Sequence, residues 1–282
     1  MSQHDMVLDN NPGATFRADA NAALLALVTL SSGSTEPSTK RAGMFWLDTS
    51  ITPDGLLRVR NQANSGWVTV PGAIGSNIKR TVITTSQTWA KPPGLKWLDV
   101  TVIGAGGGTG AAPITAAGQY SACSGAGGGG VSRKIYNGTT LAATVSITVG
   151  AAGAATPAAG SPTIFGGQNG GGGGPGSILV AGTQAAANGG VGGTASGGEL
   201  NIPGQNGGTG WRQLGAYSQG GGGGASQLTN GYSEILSSTS AAGAAGTFPG
   251  GGARGAAMGA SQAVAAAGAL GGAGAVILIE YY

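Results

Sequence analysis

The first apolar pattern in the chain is helical. Between residues 15 and 30, Ala20, Ala23, Leu27 and Leu30 recur at i, i+3, i+7 and i+10, and Leu24 and Val28 widen the stripe. Thr15 stands where an N-cap would, and Gly33 lies just past the end. The pattern predicts a helix over 15–30. Its stripe can pack on the helix's own domain, or it can dock into a partner or a trimer. Before it, residues 1–12 are polar and read as extended. After it, the spacing changes to that of strands. Residues 44–48, 56–60 and 67–70 predict a three-stranded meander, with Pro53-Asp54-Gly55 turning the chain between the first two strands. Leu57, Val59, Val68 and Val70 are suited to one buried face. A sheet this small needs oligomerisation to bury its core.

Beyond a linker at 71–76, residues 80–86 alternate and predict a strand. Trp89-Ala90-Lys91-Pro92-Pro93-Gly94 turns the chain into a second strand over 95–103, with Trp97, Val100 and Val102 as apolar positions. Two more strands, 131–136 and 141–149, flank Asn137-Gly138, a hairpin signal. The last residues, 275–282, contain Val276-Ile277-Leu278-Ile279, a run fit for the middle of a sheet. Its simplest partner is 95–103. From 104 to 274, outside that hairpin, neither period is present.

Composition explains why. The chain has 60 glycines in 282 residues, and all but eight lie between Gly104 and Gly274. Collagen needs strict Gly-X-Y, which the run from Gly170 to Gly174 followed by Pro175 breaks. Disorder accompanies high charge, yet the charged residues here are only Arg133, Lys134, Glu199, Arg212, Glu234 and Arg254. A disordered tail would also have no reason to end in a buried strand. An ordered glycine-rich fold is left. Polyglycine can form the polyproline II helix, and packed side by side such helices bond N–H to C=O across their contacts. Only glycine lets the backbones come that close. A run of about eight residues spans roughly 25 Å.

The runs are 104–110, 125–130, 166–176, 189–198, 207–210, 220–224, 250–252 and 268–274, an even number. If each crosses the domain once, the chain returns to the sheet it left. Loops 131–165, 199–206 and 225–249 then lie at the sheet end, and 111–124, 177–188, 211–219 and 253–267 form a free tip. The expected fold is therefore mostly β and irregular. A short helix and meander (1–76) precede base strands (77–103), a polyglycine II bundle with loops (104–274, with the hairpin at 131–149 inside it) and a closing strand (275–282).

Several functions lose their footing. The net charge is +3 and no basic cluster exceeds two residues, so nucleic acid has no electrostatic footprint. Cys123 is the single cysteine, which excludes an intrachain disulfide. No stretch reaches the roughly 18 apolar residues of a membrane span, and residues 1–11 carry no basic leader region. Synthesis in a cytoplasm is expected. Gly104-Ala105-Gly106 after a strand imitates a dinucleotide loop, but Thr109 holds the last glycine position and Pro113 spoils the helix that should follow. His4 is the only histidine and lies far from the glycine region. Glu199 and Glu234, the only acids within that region, are both assigned to the sheet end. No catalysis, cofactor or metal is expected.

Binding has candidates. The tip loops contain Tyr120, Trp211, Arg212, Tyr217, Arg254 and Met258. In a domain this poor in side chains, large ones in loops need a reason, and Tyr, Trp and Arg dominate interface energetics. The other reading is that Trp211 and Tyr217 cap the bundle and keep water out. Tyr232, Leu236 and Phe248 join the set if the run count shifts by one.

The N-terminal part resembles phage and prophage tail fibre proteins. The residues that carry this are 1–10 (Met-Ser-Gln-His-Asp-Met-Val-Leu-Asp-Asn), Phe16-Arg17-Ala18-Asp19, Ser31-Ser32-Gly33 with Glu36-Pro37, Trp46-Leu47-Asp48-Thr49, and 57–68. The glycine region is similar, in its pattern of runs such as Gly127-Gly128-Gly129-Gly130, to the adhesin at the tip of T-even-type long tail fibres. It also resembles prophage glycine-rich domains through 87–92 and 102–108. The resemblance implies attachment of a virion to a bacterial surface receptor (outer-membrane protein, pilus or lipopolysaccharide). It further implies contact with tail or baseplate proteins through the N-terminal region, a homotrimer, and a place on the distal tail fibre. A shaft element without receptor contact and a polysaccharide depolymerase are the alternatives.

Overall fold

Helical period, alternation and glycine runs each build a separate part of the chain. A computed structural model describes residues 3–5, 7–8, 10, 12–51, 55–70, 78–212 and 217–282. The turn at Pro53-Asp54 and the linker 71–76 lie outside the described residues. The fold is mostly β, with one short helix and several small antiparallel sheets. It divides into two units, Met1–Ile78 and Lys79–Tyr282.

Unit 1 holds α1 (Gly13–Val28) and the antiparallel sheet β1 (Phe45–Asp48), β2 (Leu56–Arg60), β3 (Trp67–Thr69). The helix starts at Gly13, two residues before the expected cap, and its N-cap position, Pro12, makes no side-chain capping bond. Its inward face is made of small residues. Ala26 is buried and Ala20 and Ala23 half-buried, whereas Leu24, Leu25, Leu27 and Val28 are exposed. The predicted stripe is therefore out of phase at Leu27. The sheet shows the same deficit: Leu57 and Val59 are half-buried and Val68 is exposed. Ala26, Pro37 and Trp46 are the buried apolar residues among those described in this unit, apart from glycines. Polar contacts stand in for a core. Trp46 donates to the Gly33 carbonyl at 3.1 Å and meets Trp67 edge-on at 5.3 Å. Arg58 pairs with the buried Asp48 at 2.9 Å. His4 is bonded to Asp19 at 2.7 Å, so it is held against the helix.

In unit 2 the chain shuttles between two ends. At the base it forms β4 (Ile78–Ile83), β5 (Gln87–Ala90) and β6 (Trp97–Ile103), then crosses to the tip for β7 (Tyr120–Cys123). It returns for β8 (Val131–Asn137), β9 (Thr144–Thr148), β10 (Thr163–Phe165) and β11 (Gln168–Gly170). β12 (Ile178–Gly182) and β13 (Ala185–Ala187) lie at the tip, β14 (Ala195–Ser196) and β15 (Leu200–Ile202) at the base. The tip also receives β16 (Gly210–Arg212), β17 (Ser218–Gly220), β18 (Ile235–Ser237), β19 (Ser240–Ala241) and β20 (Ala257–Met258). β21 (Ala275–Tyr281) closes the base, and every one of its residues pairs with β6, from Ala275↔Ile103 to Tyr281↔Trp97.

The base is a sandwich of two five-stranded sheets, β15-β8-β6-β21-β4 and β14-β11-β10-β9-β5, rather than the single small sheet expected. The strands flanking Asn137-Gly138 do not pair as a hairpin. β8 joins β6 in one sheet and β9 joins β5 in the other, so the connection is a corner between layers. Between the layers lie Ile83, Trp89, Leu98, Val100, Val102, Val145, Ile147, Phe165, Val276 and Leu278. Each contributes on the order of 2 kcal/mol by leaving water. Trp89, expected in a turn, is buried and donates its Nε1–H to the buried Glu280 carboxylate at 3.1 Å. Gln168 is also fully buried and ties the layers together, donating to the carbonyls of Val100 at 3.1 Å and Ser132 at 2.7 Å.

Glycine legs join base to tip. In 104–109, the N–H groups of Gly104 and Gly107 donate to Gly130 and Gly127, those of Ala105 and Gly108 to Ser161 and Ala158, and those of Gly106 and Thr109 to Gly272 and Ala269. The partner recurs every third residue, which is the three-residue turn of polyglycine II. Leg 125–130 donates to 205–208, 250–253 and 171–174, and it accepts from 190–193, 224 and 104–107. It is thus surrounded by six neighbours bonded to its backbone. A Cβ on Gly127 would sit 2.0 Å from the Val191 carbonyl oxygen, and one on Gly129 2.0 Å from that of Gly104.

The expected runs are not the complete set of legs. Segments 150–153, 158–161 and 243–247 also cross, although they are alanine-rich. They lie outermost, and glycine recurs only at every third position: Gly150 and Gly153 accept from Gly274 and Gly271, while Gly243 and Gly246 donate to Ala267 and Leu270. Residues 231–234 run beside 222–223. The run 166–176 is itself divided: Gly166, at φ +57°, and Gly167 turn β10 into β11, and the leg starts at Gly171. As a result 225–249 reaches both ends of the bundle. We expect Gly127→Ala to destabilise unit 2 by more than about 4 kcal/mol, because two backbones must separate. Gly167→Ala, with nothing within 4 Å of the new Cβ, should change stability by less than about 0.5 kcal/mol. Thermal unfolding of the two variants checks this.

Candidate functional site

At the tip, small residues allow two four-stranded sheets, β12-β7-β20-β19 and β13-β16-β17-β18, to stack closely. The chain passes between them twice, from β12 to β13 and from β18 to β19. Ser121, Ala122, Cys123, Ser218, Ala257 and Met258 are buried in this small sandwich. Each strand ends in a glycine leg or starts from one, so the bundle fixes its position.

The registers sort the candidate residues. In the sheet β13-β16-β17-β18 one cross-strand row reads Ala186–Trp211–Gln219–Leu236. This row faces outward: Trp211 is 44% exposed and Leu236 67%. Neighbouring strands lie about 4.8 Å apart, so Trp211 and Leu236 bracket Gln219 over roughly 10 Å. Tyr217, 53% exposed, precedes β17 by one residue and shares the parity of Gln219. The adjacent row, Ala185–Arg212–Ser218–Ser237, faces inward. Arg212 packs its guanidinium on Gly182 and donates to the Val180 carbonyl. It stitches β16 to β12 of the other sheet, where Val180 is exposed.

The other expected residues are distributed differently. Tyr120 and Met258 lie at the tip but are buried in β7 and β20, so they are framework and cannot touch a large ligand. Arg254 is half-buried on the outward leg 250–255 and donates to the Ala242 carbonyl at 3.3 Å. Among the described residues, neither Arg212 nor Arg254 pairs with a carboxylate. Of the conditional set, Leu236 joins the exposed row, Tyr232 lies along a leg, and Phe248 turns the chain at the base end beside Gly250. Sequence reasoning missed Val180 and also Ile114 and Val264, exposed in the loops where Thr115 donates to Gln262. The available signal was a large aliphatic residue in an Ala/Gly-rich loop.

Beside β18 a groove of about 490 Å³ runs over Gly208, Gly222 and Gly223, walled by Tyr232, Ser233, Glu234 and Leu236. It continues the row along the flank of the tip. Among the described residues no group of His, Cys, Asp and Glu could hold a metal ion. The Cys123 thiol donates to the Gly110 carbonyl at 3.1 Å, and burial pushes its pKa up to about 11.

Two comparisons bear on this arrangement. Residues 81–282 match the family model described as a glycine-rich domain. No curated protein matches the chain.

Cys123 is a reporter of the tip. Its folded pKa lies above the ordinary thiol value, so the stability it contributes is present below about pH 9 and is lost as pH rises through about 11. At about pH 8 iodoacetamide should leave Cys123 unlabelled in the folded chain and label it once the chain is unfolded. Mass spectrometry distinguishes the two.

Proposed function

The chain belongs to the glycine-rich domain family, and we propose that it is a tail fibre adhesin that attaches a phage to a bacterial surface receptor through the tip of unit 2. The observation that carries this reading is the outward row Trp211–Gln219–Leu236, with Tyr217 beside it. Aromatic and aliphatic side chains of this size cost free energy when left in water. Here they stand on strands whose positions are set by backbone hydrogen bonds, so contact with a receptor loses little conformational entropy. No bond is made or broken; the protein holds on.

Unit 1 has the complementary deficit. Its leucines on α1 point outward while alanines point in, and its sheet face is uncovered. In this reading the missing core comes from further copies, giving a homotrimer, and the N-terminal region meets tail or baseplate proteins. The tail-fibre resemblance of residues 1–10 and 57–68 supports that assignment. The protein then resides in the virion, on the distal tail fibre.

The test uses labelled full-length chain and intact bacteria of a strain that binds it. Trp211→Ala combined with Leu236→Ala removes two central anchors, each worth about 2 kcal/mol. Apparent affinity should fall at least about 30-fold while the melting temperature stays unchanged. Unaltered binding by a folded double variant would remove this row as the contact.

A further inference from the structure

Among the described residues of unit 2, only Gln227 and Leu228 reach over the outer face of the base sandwich. On β6, Leu98, Val100 and Val102 point into the sandwich, which turns Trp97, Asp99 and Thr101 outward. The same face receives Val82 from β4, Ile277 and Ile279 from β21, Ile135 from β8 and Leu200 from β15. Val82, Trp97, Ile135 and Leu200 are each about half exposed. A cavity of about 290 Å³ crosses the sheet from Arg80 on one edge strand to Leu200 and Ile202 on the other. The charges in the middle of the face neutralise each other: Arg133 donates to both oxygens of the buried Asp99, at 3.0 Å and 2.5 Å. What is left is an apolar sheet face as rich in large side chains as many interior ones.

The two edges of this sheet carry opposite charge. β4, at one edge, carries Lys79 and the exposed Arg80. β15, at the other, is preceded directly by the exposed Glu199. Among the described residues Arg80 and Glu199 have no ion-pair partner. Lys79 pairs with Glu280 at 3.8 Å, so an isologous pairing would bring Arg80 against itself, or Glu199 against itself. A head-to-tail pairing brings unlike charges together, and such a pairing makes a ring where its rotation closes. It also removes two free strand edges, which otherwise offer unpaired N–H and C=O groups.

We propose that unit 2 is itself a subunit of a ring: β4 of one copy lies against β15 of the next, and the outer sheet faces turn inward to share one apolar core. This rests on the self-association proposed for unit 1. Unit 1 precedes β4 in the chain, so its assembly would tether the partner sheets at high effective concentration. The occupant of the face is therefore another copy of this chain, while the tip row stays free for the receptor.

Cross-linking of the full chain tests it. Arg80 and Glu199 are exposed, so cysteine at either position leaves the fold intact, and Cys123 is buried and unreactive. The double variant Arg80→Cys/Glu199→Cys, treated with a short bis-maleimide, should give covalent dimers and trimers on a denaturing gel. Each single variant should stay monomeric on that gel. Light scattering on the untreated chain separates the failures. An oligomer whose double variant does not cross-link, or whose single variants do, overturns the ring and leaves unit 1's association standing. A monomeric chain overturns both, and binding of labelled chain to cells still reads the adhesin proposal independently.

Discussion

Every buried peptide group in the glycine legs must find a hydrogen-bond partner, and here the partner is another leg. Because three residues make a turn, a leg presents successive N–H groups in three directions and its carbonyls in three more. Leg 125–130 uses all six. Such contact is possible only where no Cβ intervenes, as the clash at Gly127 with the Val191 carbonyl makes concrete. From this single constraint follow the composition, the near absence of charge, and the scarcity of large side chains between base and tip.

The same constraint divides labour along the chain. A core of backbone has no jigsaw of side chains, so folding cooperativity has to be anchored elsewhere. The base sandwich provides the anchor. β6 leads into the first leg, β21 receives the last, and the two pair residue for residue. Gln168 and Glu280, buried polar groups with satisfied partners, lock the sandwich layers and the closing strand. At the opposite end the legs deliver short strands in fixed register that hold Trp211 and Leu236 exposed, and under the adhesin proposal specificity would rest on such residues. Unit 1 and the outer face of the base both leave large apolar side chains exposed, which the proposed assembly of copies would cover.

Much of this was legible in the sequence. The closing strand and its partner were readable because Val276–Ile279 cannot remain in water and only 95–103 offered an equal. Polyglycine legs were readable from the runs themselves. The outermost legs were not, since 150–153 and 243–247 face solvent on one side and tolerate alanine at two positions in three. That omission shifted Leu236 from the tip to the sheet end and hid half of the exposed row. The Asn137-Gly138 turn misled because a tight turn specifies a reversal of the chain and not which layer the next strand joins. Tyr120 and Met258 could be placed at the tip but not inside it, because burial there depends on the register of β7 with β20. In α1 the predicted stripe was right for Ala20 and Ala23, but Leu24, Leu27 and Val28 are exposed while Ala26 is buried.

The central claim is that the backbone of the glycine legs is the core. Amide hydrogen exchange at 104–109 and 125–130 tests it most directly. The account predicts that these glycine amides exchange only through global unfolding, as slowly as the amides of β6 and β21. Exchange at the rate of an unstructured glycine chain, with β6 and β21 still protected, would contradict it.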